Sequence, residues 1–257
     1  MTDGAAMGLR LLAVWCDTVY IRTRVSHTSP GRMPGKLESM RGRITDQEQA
    51  DRVVNHYAWL APAYDRLWNR YSRNSLGKLA EHLELRGDEH VLDVACGTGR
   101  FAGILRQRHP GIRITGIDLS PAMIQEARER LPEDARTQWA VGTLASAALA
   151  EGTFDVITCA NAFHLFVDQE DSLARIRRLA RPGGTICIVD WCREYPQIRL
   201  IQGLARRFGN QYRSILTRDE MRAMVDQAGL EVRQIERFKA TPFWGMMCVV
   251  ARKPAQH

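Results

Sequence analysis

Val91-Leu92-Asp93-Val94-Ala95-Cys96-Gly97-Thr98-Gly99-Arg100-Phe101-Ala102-Gly103 decides how this chain is read. An apolar strand over 91–95 runs into a turn carrying two glycines, and a helix is expected directly behind it. Glycine lets a ligand approach the main chain closely, and a helix start offers N–H groups that no intrahelical carbonyl takes up. Asp93 sits inside the strand end. An acid is costly to bury there unless a cation or a donor answers it. Strand, turn and helix together point to a site for a nucleotide-like ligand.

The turn alone is ambiguous. Gly97-Thr98-Gly99-Arg100-Phe101-Ala102 also fits G-x-G-x-x-G/A, the dinucleotide fingerprint. Asp118 ends the next apolar strand, at about the ~20-residue spacing of a ribose-binding acid. A nicotinamide dinucleotide or S-adenosylmethionine (SAM) could use this pair of turns. The carboxylate of Asp93 favours SAM. It would repel a pyrophosphate, whereas SAM carries a sulfonium and an α-ammonium that a nearby anion attracts.

Read in order, the segments resemble class I SAM-dependent methyltransferases. Asp93-Val94-Ala95-Cys96-Gly97-Thr98-Gly99 resembles the first motif of that family, with Ala95 where a glycine is usual. Gly116-Ile117-Asp118-Leu119-Ser120-Pro121-Ala122-Met123 resembles the second motif, and Asp155 to His164 the fourth. Arg181-Pro182-Gly183-Gly184 resembles the turn into the fifth strand. The ordered set covers roughly residues 88 to 190. His56-Tyr57 to Ala63-Tyr64-Asp65 resembles the start of the ubiquinone/menaquinone C-methyltransferases. The resemblance implies a Rossmann-like α/β fold with a seven-stranded, mostly parallel sheet. It also implies a reversed final hairpin, helices on both faces and a helical N-terminal cap.

The same resemblance implies the site. Asp93, Ala95, Gly97 and Gly99 would meet the amino-acid end of SAM. Asp118 would hold the ribose, Leu119 just after it would flank the adenine, and Met123 would pack near adenine. Ala160 and Asn161 would lie at the end of the fourth strand. The family's acid after the third strand is missing from Gly142-Thr143-Leu144-Ala145-Ser146, so backbone groups of Thr143 and Leu144 are expected to meet the base. His164 is the candidate proton acceptor; its plain alternative is a histidine that only holds a loop. Tyr57 and Tyr64 either pack on the core or touch the ligand from the cap. Cys159 reads as a buried strand thiol.

Alternation gives the organisation. Strands are expected near 90–95, 112–118, 136–141, 154–160, 185–190, 231–239 and 245–252. Helices are expected near 99–109, 121–131, 168–180 and 217–228, a βαβ rhythm that implies a parallel sheet. Ser120 before Pro121 is a helix start, and Thr217 with Glu220 a capping box. Residues 1–43 read as a disordered basic extension, 44–87 as a helical cap and 88–257 as the SAM-binding domain. Within it, 191–216 reads as a cap insertion carrying Arg193, Arg199, Arg206, Arg207 and Arg213 against Glu194. Ile201, Leu204, Ala205 and Phe208 are expected to form its apolar stripe. Such a helix either meets a membrane surface or an anionic substrate, or simply shows solvent a charged face.

Composition bounds the rest. The 257 residues are 45% hydrophobic and 25% charged, and no apolar run reaches the ~18 residues of a membrane span. The six cysteines form no C-x-x-C, so neither a metal site nor a disulfide framework is expected, and a cytoplasmic setting is the simpler reading. The net charge of +7 is concentrated partly in 1–43, which hold seven Lys/Arg against three Asp/Glu. The arginines are not interleaved with stacking aromatics, which argues against a nucleic-acid partner. A small-molecule substrate, lipid-soluble or anionic, is expected. The rivals are a nucleic-acid methyltransferase, a SAM-binding regulator without turnover and a nicotinamide-linked oxidoreductase.

Overall fold

The computed structural model describes residues 68–207 and 214–255, with the side chains of 205–207 set aside. Two runs of sequence drive the architecture. Val91, Leu92, Ile114, Ile117, Ile157, Ile186 and Ile188 are all buried in strand interiors. Strands buried on both faces read as continuous apolar runs, and these form the centre of a parallel sheet.

In chain order the elements are α1 (Asn69–Glu81), β1 (His90–Val94), α2 (Arg100–Arg108), β2 (Arg113–Asp118) and α3 (Pro121–Arg130). They continue with β3 (Thr137–Val141), β4 (Phe154–Ala160), a 3₁₀ turn (Phe163–Leu165), α4 (Gln169–Leu179) and β5 (Ala180–Trp191). The last are α5 (Pro196–Arg207), α6 (Arg218–Gln227), β6 (Glu231–Lys239) and β7 (Gly245–Arg252). One seven-stranded sheet has the order β3-β2-β1-β4-β5-β7-β6. Strands β1 to β5 are parallel, and β7 runs antiparallel to both β5 and β6. The expected fold class and final hairpin are therefore present. The chain winds outward from β1 through β2 to β3, then crosses back to lay β4 on the other side of β1. That reversal opens a crevice at the carboxyl ends of β1 and β4.

Local chemistry sets the helix ends that border this crevice. Ser120 Oγ accepts from the Met123 N–H, and Pro121 fills the first turn of α3. Asp168 caps α4 through the Asp171 N–H at 2.8 Å. Thr217 and Glu220 form the reciprocal capping box of α6. Gly99 precedes α2 at φ 68°, with no side-chain cap, so the first N–H groups of α2 stay open toward the glycine turn.

Two expectations shift. Strand β5 begins at Ala180 and absorbs Arg181 to Gly184 as an irregularity, four residues lying opposite Asp155 of β4 between the pairs Phe154–Ala180 and Val156–Thr185. In α5 the buried apolar residues are Ile198 and Ile201, whereas Leu204 is exposed and Leu200 more so. The 3.6-residue period fits either stripe, and packing selects the one beginning a turn earlier. The Ala205 side chain and Phe208 lie outside the described residues, as do 1–67 of the expected extension and cap. Among the described residues the cap is represented by α1.

Candidate functional site

The crevice contains two adjoining clefts. The larger, of about 330 Å³, is lined by residues that include Ala95, Gly97, Asp118, Leu119, Met123 and Thr143. Leu144, Ala160 and Asn161 also line it. The smaller, of about 60 Å³, shares Ala95, Gly97, Ala160 and Asn161 and adds Asp93. Ten of the eleven residues expected to meet the cofactor thus line one cleft or both. Gly99 lines neither. A Cβ there would stand 2.9 Å from the Trp139 ring and 3.0 Å from Ala127, so its lack of a side chain lets α2 approach β3 and α3.

The two acids differ in how they are held. Asp118 Oδ2 accepts the Gly97 N–H and Oδ1 the Ser120 N–H, each at 2.9 Å. Burial raises the Asp118 carboxyl above its ordinary value, against the pull of those two donors. Asp93 accepts the Thr158 hydroxyl on Oδ1 at 2.9 Å. Its other oxygen, Oδ2, is buried with no hydrogen-bond partner. Burial pushes Asp93 up to about 7; the Thr158 hydroxyl opposes the shift and the charge of Asp118 adds to it. An orphaned buried carboxylate oxygen beside a cleft calls for a cation or a donor from a ligand.

The turns around these acids are conformationally unusual. Ala95 has φ 55° and Asn161 φ 60°, left-handed positions rare outside glycine. The Asn161 side chain is anchored to α1: Oδ1 accepts the Tyr71 hydroxyl at 2.9 Å and Nδ2 donates to Ser75 Oγ at 3.0 Å. Thr143 and Leu144 line the larger cleft as expected. The Thr143 N–H, however, already donates to Ser146 Oγ at 2.9 Å, so that N–H is engaged within its own loop.

His164 is turned toward the core. It lines neither cleft, its Nδ1 lies 2.6 Å from Asp190 Oδ1, and its ring stacks on Trp191 with centroids 4.4 Å apart. Asp190 is itself buried at the end of β5, where the backbone N–H groups of His164 and Trp191 donate to it beside the His164 ring. Among the described residues His164 thus lies off the two clefts, with its ring held by Asp190. Cys159 is buried, and burial raises its thiol well above the ordinary value, consistent with packing. Tyr57 and Tyr64 lie outside the described residues.

Sequence reasoning missed one wall of each cleft. Phe166, Val167, Asp168, Ser172 and Arg175 close the larger cleft from the 3₁₀ turn and α4. Ser72 and Leu76 of α1, with Arg100, close the smaller. The Asp168 cap was the available signal for the first wall, since a helix starting there must follow the end of β4 closely.

Residues 91–184 match the family model described as a methyltransferase domain. The demethylmenaquinone methyltransferase of Deinococcus radiodurans is 31% identical over 151 residues, spanning 56% of this chain and 62% of the relative. The trans-aconitate 2-methyltransferase of Paracidovorax citrulli is 35% identical over 131 residues, spanning 51% of this chain and 49% of the relative. The chain therefore spans less than two thirds of these curated relatives. A solved complex of the Haloferax volcanii Trm112 methyltransferase activator and a methyltransferase aligns with TM-score 0.68 at 18% identity. It covers 77% of this chain and 97% of the other, a likeness of fold. Ordered motifs, sheet topology and the family match agree on a methyltransferase domain over residues 91–184.

Proposed function

We propose that this protein binds SAM across the two clefts and transfers its methyl group to a small-molecule acceptor. The observation that carries the reading is the buried, unpartnered Oδ2 of Asp93 beside the smaller cleft. A cationic ligand end satisfies it; a pyrophosphate would be repelled. SAM supplies an activated methyl on a positive sulfur. The residues of this chain do the rest. Asp118 takes the ribose while bracing the glycine turn. Leu119, Met123 and Leu144 enclose the base. Asn161 holds the strand end that faces the reacting centre.

The acceptor we favour is lipid-soluble or anionic. The similarity to a demethylmenaquinone methyltransferase and to a trans-aconitate methyltransferase supports one option each. Exposed Leu200 and Leu204 beside exposed Arg199 on α5 support peripheral contact with a lipid surface. Among the described residues, no helix is long and apolar enough to cross a membrane.

The test has two parts. Calorimetry with S-adenosylhomocysteine (SAH) should give saturable one-to-one binding. Incubation of the full chain with labelled SAM and a metabolite extract should then yield a methylated product identifiable by mass. Binding of a nicotinamide dinucleotide without binding of SAH would overturn the reading.

A further inference from the structure

Three side chains of α1, Asn69, Tyr71 and Ser75, hydrogen-bond to residues that line the smaller cleft. Asn69 Oδ1 accepts from Arg100 Nη2 at 2.6 Å. The Tyr71 hydroxyl donates to Asn161 Oδ1 at 2.9 Å and accepts the Trp191 indole N–H at 2.8 Å. Ser75 Oγ accepts from Asn161 Nδ2 at 3.0 Å and donates back to the Ser72 carbonyl at 3.2 Å. Arg100 and Asn161 both line the smaller cleft, together with Asp93. That cleft therefore holds one cation, one orphaned carboxylate oxygen and one amide, the complement of an amino-acid zwitterion. Arg100 is the group suited to a carboxylate, and Asp93 to an ammonium.

We propose that α1 fixes the amino-acid end of the cofactor at second hand, Tyr71 and Ser75 acting through Asn161 and Asn69 acting through Arg100. The physical reason lies in the Asn161 backbone. A non-glycine residue at φ 60° is held there by its surroundings, and both ends of its carboxamide are committed to α1. Without that hold the residue relaxes, and the cleft beside Asp93 loses a wall. The larger cleft, which takes the adenosine half, has no lining residue from α1. The proposal rests on the SAM reading above and deepens it by assigning Asn69, Tyr71 and Ser75 as positioning residues.

The two halves of the cofactor can be separated by ligand choice. SAH carries the amino-acid arm, whereas 5′-methylthioadenosine lacks it. Tyr71→Phe and Ser75→Ala, made singly in the full chain and checked for an unchanged melting profile, should each weaken SAH binding by about tenfold. That corresponds to ~1.4 kcal/mol. Methylthioadenosine affinity should stay within twofold of the parent. Tyr71→Phe and Ser75→Ala combined should lose less than the sum of the two single losses, because both act through Asn161. Equal weakening of both ligands, or no weakening of either, would overturn the proposal. If the parent chain binds methylthioadenosine but not SAH, the SAM reading itself falls.

Discussion

Asp118 Oδ2 accepts the main-chain N–H of Gly97 at 2.9 Å, joining the ends of two neighbouring strands through a single carboxylate. The same side chain lines the larger cleft and holds the Ser120 N–H at the start of α3. It braces the glycine turn, and in the function proposed above it also meets the ribose. Asp118→Ala should weaken SAH binding by about 10- to 100-fold, since hydrogen bonds to a charged group are worth about 1.5–3 kcal/mol. It should also lower the melting temperature, because the Gly97 and Ser120 amides lose their acceptor. Calorimetry and thermal unfolding measure the two effects separately. An unchanged SAH affinity would remove the ribose assignment.

Asp93 gives the site a pH dependence of definite sign. Its carboxyl is pushed up to about 7 by burial, so the free site is largely protonated at pH 6 and ionised at pH 8. Only the ionised form attracts the cofactor's ammonium. SAH affinity should therefore rise between pH 6 and 8, and the rise should vanish in Asp93→Asn. Stability moves the other way. Between about pH 4 and 7 the folded state holds a proton that the unfolded chain has released, so stability falls as pH rises, by at most about 1.4 kcal/mol per pH unit. Relative to the parent, Asp93→Asn should gain stability from pH 5 to pH 7 in denaturant titrations.

The sheet was legible because its central strands are dominated by buried apolar residues such as Val91, Leu92, Ile114, Ile157 and Ile188, and because Ser120-Pro121 and Thr217 with Glu220 announce their helices. Much of the lining of the two clefts was legible for a related reason. Asp93, Gly97 and Asp118 occupy strand ends, where topology alone brings them together. What was not legible depends on packing. The sequence leaves His164 open between a proton acceptor and a loop-holding histidine, and its contact with Asp190, 26 residues away, is invisible to any local pattern. Pro182-Gly183-Gly184 reads as a turn until an irregularity in the β4–β5 pairing carries it into β5. Phe166 to Arg175 reach the cleft only through the tight 3₁₀ turn after β4, and no local pattern specifies which way that turn faces.

Gly116 should tolerate no side chain. A Cβ built there would lie 2.2 Å from the Trp139 ring and 3.0 Å from Cys96 Sγ. Trp139 cannot swing away cheaply, because its indole N–H donates to the Leu131 carbonyl at 2.9 Å and its ring is buried. Gly116→Ala should therefore cost about 1–3 kcal/mol, the usual penalty of overpacking a filled core. Adding Trp139→Leu should recover part of that loss, which chemical denaturation of the single and double variants would measure. Independent, additive costs would show that the ring is not what excludes the methyl group.

Ala95 carries a strain that a single substitution should release. Its φ of 55° places an L side chain in the left-handed region, at a cost of about 1–2 kcal/mol. Ala95→Gly removes that cost and returns about 0.4–1 kcal/mol through the greater freedom of the unfolded chain. The balance favours the variant by up to about 1 kcal/mol, a rise in melting temperature of roughly 2–4 °C for a domain of this size. Ala95 lines both clefts, so the lost methyl also widens the passage between them. SAH affinity should stay within a few-fold, because the main-chain path and both aspartates are unchanged. A lower melting temperature would mean that the Ala95 methyl makes packing contacts worth more than the backbone strain it imposes.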